Sequence, residues 1–158
     1  WDAAGNLRVT LPGADPALPA TACGSHLDSV PQGGNYDGAA GVIAGLLALL
    51  GAARGPRPRR TAHLFVMRGE ESAWYGRPYL GSSAREGADT GLVAARAPLL
   101  DPAALSHFVE LHIEQGPVMV ARNVPVGLVS GIRGNHRHPS ARCTGEAAHS
   151  GAVPRWLR

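Results

Sequence analysis

The sequence predicts an α/β fold, and three observations carry that reading. Short apolar runs at residues 20–25 and 61–67 have the length and flanking turn residues of buried strands, and a small-residue apolar stretch at 38–51 separates them with helical character. A third run, at 107–113, again leads into Gly116 and Pro117. Strand patterns alternating with helical ones point to helices packed on a central sheet.

Taken in order, residues 20–25 follow Pro19 and place His26 at a strand end, where clefts form in open α/β sheets. Asp28 lies two residues on, so the period-two geometry of extended chain sets it on the same side as His26, able to orient the imidazole. Gly33 and Gly34 permit a sharp reversal before Asp37. Asp37 supports two readings, a helix N-cap or a carboxylate presented to the cleft. A buried helix follows over 37–53, then a Pro-rich basic loop at 54–60 and a strand at 61–67. That strand runs into Arg68, Gly69, Glu70 and Glu71. A short helix is expected near 78–84, and the strand at 107–113 carries His112 near its end. From Val118 the pattern becomes Val-rich, with strands expected that include 126–132, followed by a polar stretch holding His136 and His138. These two share a strand face and could bind metal as a pair, but read rather as exposed strand histidines; His63 and His107 read as structural, and no internal repeat is evident.

The chemistry gathers at three of these strand ends. Neighbouring side chains at a strand end diverge, so one of Glu70 and Glu71 can bind a divalent cation while the other takes a proton from a metal-activated water. Taken alone, the pair is equally an exposed acidic loop, because Glu is mostly solvated. His112 is a third candidate ligand. Three strand ends, each delivering His, Asp or Glu, make the arrangement a shared cleft needs.

These residues also carry a resemblance. The order HLDSVPQGGNYDG at 26–38, then Glu70-Glu71, then ELHIEQGP at 110–117, resembles the dinuclear metal amidohydrolases that include N-carbamoyl-L-amino-acid hydrolases, allantoate amidohydrolases and β-ureidopropionases. The first motif is shared with the wider zinc-peptidase-like superfamily; ELHIEQGP is similar to the carbamoylase-like branch. The likeness runs from DAAGN at 2–6 to GEAAHSG at 145–151.

The resemblance implies a zinc-peptidase-like catalytic domain with a mixed central sheet flanked by helices over 1–130, and the start of a smaller α+β lid or dimerisation domain over 131–158. It implies two divalent metal ions, zinc foremost, with manganese, cobalt or nickel as alternatives. His26 and His112 would bind one metal, Asp37 would bridge, and Glu71 would bind the second. Glu70 would be the general base and Asp28 would orient His26. Gln115 would line the substrate side, and His149 would bind substrate and stabilise the developing oxyanion. Two stretches depart from the family pattern: RGEESAW at 68–74, and SGAVPR at 150–155 after His149. Family members are more than twice as long, so a chain of 158 residues beginning at Trp1 is expected to be a fragment, lacking a last His ligand.

The implied activity is hydrolysis of a linear ureido or amide C–N bond in a small molecule, by a protein that is a homodimer at full length. An aminoacylase or dipeptidase reading uses the same residues, and an inactive chain that only binds metal is the non-enzymatic alternative. Hydrophobic residues make up 44% and charged residues 17%, and no apolar run is long enough to span a membrane. The net charge of +3 gathers at 54–60 and 133–142 without interleaved aromatics, which argues against a nucleic-acid partner. Cys23 and Cys143 form no disulfide framework and read as reduced, in a cytoplasmic setting.

Overall fold

Leu64 and Phe65 are the most deeply buried apolar side chains of the described residues, and they mark the strand around which the sheet is built. Burying each contributes roughly 1.5–3 kcal/mol. The structure is a computed structural model and describes residues 1–85, 101–131, 140–142 and 144. The elements are β1 (Leu7–Leu11), β2 (Ala20–His26), α1 (Ala39–Arg54), β3 (Ala62–Met67), α2 (Ser72–Tyr75), α3 (Leu80–Arg85), β4 (Leu105–Val109) and α4 (Val118–Ala121), with a 3-10 turn at Pro102–Ala104. The strands form one mixed sheet in the order β1-β3-β2-β4. β1 pairs with β3 antiparallel, whereas β2 runs parallel to both β3 and β4.

Strand order therefore reverses at β2: the chain passes to β3 on one side and returns to β4 on the other. Ligands in such sheets bind outside the carboxyl ends of the strands at this switch point. The β1 strand has no counterpart among the sequence expectations. Its alternating pattern LRVTL is short and half exposed, and only pairing with β3 makes it a strand.

Helix α1 connects β2 to β3. Its Leu- and Ala-rich sequence favours helix, and Gly55 followed by Pro56 ends it. Gly41, Val42, Gly45 and Leu49 face inward, and the missing Cβ at Gly45 lets the helix backbone approach Leu64 and Cys23. The sequence predicts a buried helix. Instead, Ile43, Leu46, Leu47 and Leu50 are exposed, because the sheet covers only one side of it.

The chain divides into two units, Trp1–Val118 and Met119–Arg158. In the second, the turn after α4 is closed by a hydrogen bond from the Val124 amide to the Met119 carbonyl. The expected Val-rich strands are not found there. Residues 118–121 are helical and 126–131 have no regular secondary structure, with Val126, Leu128 and Val129 exposed. A strand exists only by pairing, and among the described residues nothing pairs with this segment. His136, His138, Cys143 and the 145–151 motif lie outside the described residues. No helix of the described residues is long and apolar enough to cross a membrane.

Candidate metal centre

The parallel register brings the predicted ligands level with one another. His26 is the last residue of β2 and pairs with Met67, the last of β3, so Glu70 and Glu71 follow just beyond. Across the other edge Cys23 pairs with Val109, and three further residues along each chain lead to His26 and His112. Their ring centroids are 6.0 Å apart. His112 thus lies past the end of β4 rather than inside the strand expected over 107–113.

Both imidazoles are fixed by main-chain carbonyls. His26 Nδ1 lies 2.7 Å from the Asp28 carbonyl oxygen, and His112 Nδ1 lies 2.6 Å from that of Ile113. A carbonyl can only accept, so each Nδ1 carries a proton, and each neutral ring keeps the Nε2 lone pair free. That is the tautomer a metal ligand needs. His26 is buried, and its Nε2 has no hydrogen-bond partner; the nearest charge is Glu70 Oε2 at 3.8 Å.

Asp37 resolves the choice between its two readings. The N-cap of α1 is Gly38, with no side-chain capping bond, so the Asp37 carboxylate is not spent on the helix. It is 2% exposed, and neither oxygen has a hydrogen-bond partner. Gly38 makes this placement feasible: φ is 65°, and a Cβ there would overlap the His26 carbonyl oxygen and crowd its imidazole. Gly38→Ala is accordingly expected to lose about 2–4 kcal/mol, from backbone strain plus overpacking. Thermal melting checks this, and an unchanged melting temperature would show that the loop adapts.

Glu71 sits beside Asp37. Its carboxyl is pushed up to about 7, first by burial, then by the hydrogen bond its protonated form makes to Asp37 and by the Glu70 and Asp37 charges, against the lowering pull of His26. That bond requires the proton on Glu71; with both groups ionised, neither Asp37 oxygen is paired. Burial likewise raises Glu70, which the Asp28 and Glu110 charges push further up and His26 and His112 pull down.

The donor set fits a divalent cation. Among the described residues four buried side-chain atoms lack partners, and three of them are His26 Nε2 and the two Asp37 oxygens. Unpaired buried polar atoms each cost about 1–3 kcal/mol, so their concentration in one place calls for a compensating positive charge. The ligand atoms of His26, Asp37 and His112, and those of His26, Glu70 and Glu71, form two groups with all separations within 4.8 Å. His26 belongs to both.

A pH dependence follows for the metal-free protein. Unfolded, Glu71 titrates near the ordinary 4.5; folded, at about 7. Between these values the folded chain keeps a proton the unfolded chain has lost, so stability falls as pH rises across that window. A cation beside Asp37 reverses the local charge, and its uptake releases the proton. Melting with chelator at about pH 5 and about pH 8 should show the higher transition at the acid end, with the gap closed by zinc. Equal transitions in chelator would contradict it.

Asp28 departs from its expected role. Its carboxylate stands 3.8 Å from His26 Nδ1, and the ring is held by the Asp28 carbonyl instead. The side-chain oxygens accept the Glu70 and Glu71 amides at 3.2 and 2.9 Å. Gln115 is exposed on the segment after β4, in left-handed backbone (φ 58°), and His149 lies outside the described residues.

Asn6 was not singled out by its chemistry. It is fully buried, donates to Asp2 and to the Gly81 carbonyl, and accepts the Arg68 amide, fastening the start of the carboxylate loop to α3. The signal available in the sequence was an Asn at a Gly-Asn turn immediately before a strand pattern.

Comparison with known proteins places this geometry. Peptidase family M28 matches residues 6–95. An N-carbamoyl-L-amino-acid amidohydrolase of Paenarthrobacter aurescens is 36% identical, over 99% of this chain and 44% of its own length. An allantoate amidohydrolase of Escherichia coli is 31% identical, over 100% of this chain and 44% of its own length. The chain thus spans less than half the length of these curated relatives. A solved hydantoinase/carbamoylase family amidase from Burkholderia ambifaria superposes with a TM-score of 0.65 at 32% identity, covering 77% of this chain and 35% of that one. With more than half of its residues matched, this chain belongs to peptidase family M28, among relatives named as carbamoyl and allantoate amidohydrolases.

Proposed function

We propose that the chain carries the metal centre of a hydrolase of linear C–N bonds, acting on the ureido group of an N-carbamoyl-L-amino acid or an allantoate-type compound. The observation that carries the reading is the buried, partnerless Asp37 carboxylate beside the partnerless Nε2 of His26. The relatives' names supply the substrate class, and the cation-ready donor set supplies the chemistry.

In this reading His26 and His112 would hold one divalent cation and Glu71 a second, with Asp37 serving both. Zinc is the foremost candidate, with manganese, cobalt or nickel as alternatives. Bound there, the metals supply Lewis acidity and bring the pKa of water close to neutral. Glu70 lies beside the His26 ligand nitrogen, and burial raises its basicity. It accepts the proton of the attacking water and returns it to the departing nitrogen. The carbonyls of Asp28 and Ile113 keep both imidazole protons on Nδ1, so the ligand nitrogens stay available. Gln115 and His149 are assigned to the substrate side, His149 also to the oxyanion. Residues 131–158 are assigned to the start of a lid or dimerisation domain, and the full-length protein to a homodimer.

The test is metal content together with ammonia release. The zinc-loaded protein is expected to bind metal and liberate ammonia from N-carbamoyl-L-amino acids. Hydrolysis of N-acyl amino acids without ammonia release would favour the aminoacylase reading, and failure to bind any divalent cation would overturn the metal centre.

A further inference from the structure

We propose that Asp28 is a positioning residue for the Glu70–Glu71 main chain, and that through it one residue sets the spacing between the His26 imidazole and both carboxylates. Its functional consequence rests on the metal-centre reading above; its structural content does not.

The geometry is specific. Asp28 Oδ1 accepts the Glu70 amide at 3.2 Å and Oδ2 accepts the Glu71 amide at 2.9 Å, one oxygen to each of two consecutive N–H groups. Hydrogen bonds from amides to a charged carboxylate are among the stronger ones a loop can make. The next residue extends the tie, because the Ser29 carbonyl accepts Trp74 Nε1 at 2.8 Å. The loop after β2 is therefore fastened at two points to the loop after β3 and at a third to α2, across 42 to 45 residues of sequence.

The same residue engages His26 by a different group. The Asp28 carbonyl accepts Nδ1 at 2.7 Å, whereas its carboxylate stands 3.8 Å from that nitrogen, beyond hydrogen-bonding reach. Removing the carboxylate consequently leaves the imidazole tautomer intact and frees the Glu70 and Glu71 amides, while the Gly69 and Glu70 carbonyls keep their bonds from the Leu80 and Tyr79 amides. A carboxylate acting on the imidazole would do the reverse.

The experiment compares wild-type protein with Asp28→Ala, each metal-free and zinc-loaded. Backbone amide exchange is read at Glu70, Glu71 and, as control, Leu64 and Phe65 in β3, with ¹⁵N shifts of the His26 ring. In metal-free Asp28→Ala, exchange at Glu70 and Glu71 is expected to accelerate about tenfold or more, with the β3 amides unchanged. The His26 ring keeps its proton on Nδ1. Zinc affinity is expected to fall about 10–100-fold, as for loss of a group that supports ligands from behind. Unchanged exchange at Glu70 and Glu71, or a His26 ring that moves to mixed tautomers while those amides stay protected, would overturn the proposal. Should Asp28→Ala fail to fold, Asp28→Asn decides. It retains one acceptor oxygen, so one of the two amides should lose protection, and retention of both overturns the inference. If wild-type protein binds no zinc, the metal-centre reading fails while the metal-free exchange pattern still decides the role of Asp28.

Discussion

Asp37→Asn is expected to abolish the stabilisation by zinc while making the metal-free protein more stable. The wild-type carboxylate is buried with both oxygens unpaired when Glu71 is ionised, and after burial, the largest cause, it helps to push the neighbouring Glu71 carboxyl up to about 7. Replacing it with an amide of the same shape removes the charge and offers Glu71 a donor, a gain of about 1–3 kcal/mol in chelator. Zinc should add nothing to the variant. In the wild type, free zinc at about a hundred times its Kd stabilises by about 2.7 kcal/mol, which for a chain of this length raises the melting temperature by about 5–10 °C. Melts of both proteins in chelator and in zinc provide the four values needed. A zinc-dependent rise in Asp37→Asn equal to that of the wild type would remove Asp37 as a bridging ligand.

Glu70→Gln is expected to separate binding from turnover. Glutamine keeps the shape and the backbone amide held by Asp28, but it cannot take up a proton. Loss of general acid–base assistance typically costs about 10²–10⁴-fold. The loss should fall on kcat, with metal content and KM little changed, because an interaction used only in the transition state leaves ground-state binding alone. Glu71→Gln is the control and should lose metal instead. Steady-state kinetics on a ureido substrate, with metal analysis of the same samples, separates the two carboxylates. Full activity in Glu70→Gln would move the base elsewhere.

Local patterning was legible where it is set by a few neighbouring residues. The strand at 20–25, the helix at 37–53 and the strand at 61–67 each lie within two residues of their observed bounds, because strand length, turn residues and helix terminators act over short range. The strand at 107–113 was placed too far along: β4 ends at Val109, since its ladder with β2 stops there. For the Val-rich stretch after 118 the same pattern misled, because apolar alternation describes a residue's suitability for a ladder and not the presence of a partner strand. β1 was missed for the converse reason: five unremarkable residues become a strand only against β3.

The sequence by itself determined the α/β class, the end of β2 on which His26 falls, the loop after β3 that carries Glu70 and Glu71, and the family resemblance of the motifs. Each of these depends on residue type and spacing along one segment. Only the tertiary structure decided how Asp37 and Asp28 use their carboxylates. A side chain two residues from an imidazole can reach it through its carbonyl or its carboxylate, and an Asp ahead of a helix can cap it or turn away. The outcome depends on which partners arrive from elsewhere in the chain. For Asp28 these are the Glu70 and Glu71 amides, 42 and 43 residues distant. For Asp37 it is the Glu71 carboxyl, which can bond it only while protonated; with both ionised, neither Asp37 oxygen has a partner among the described residues.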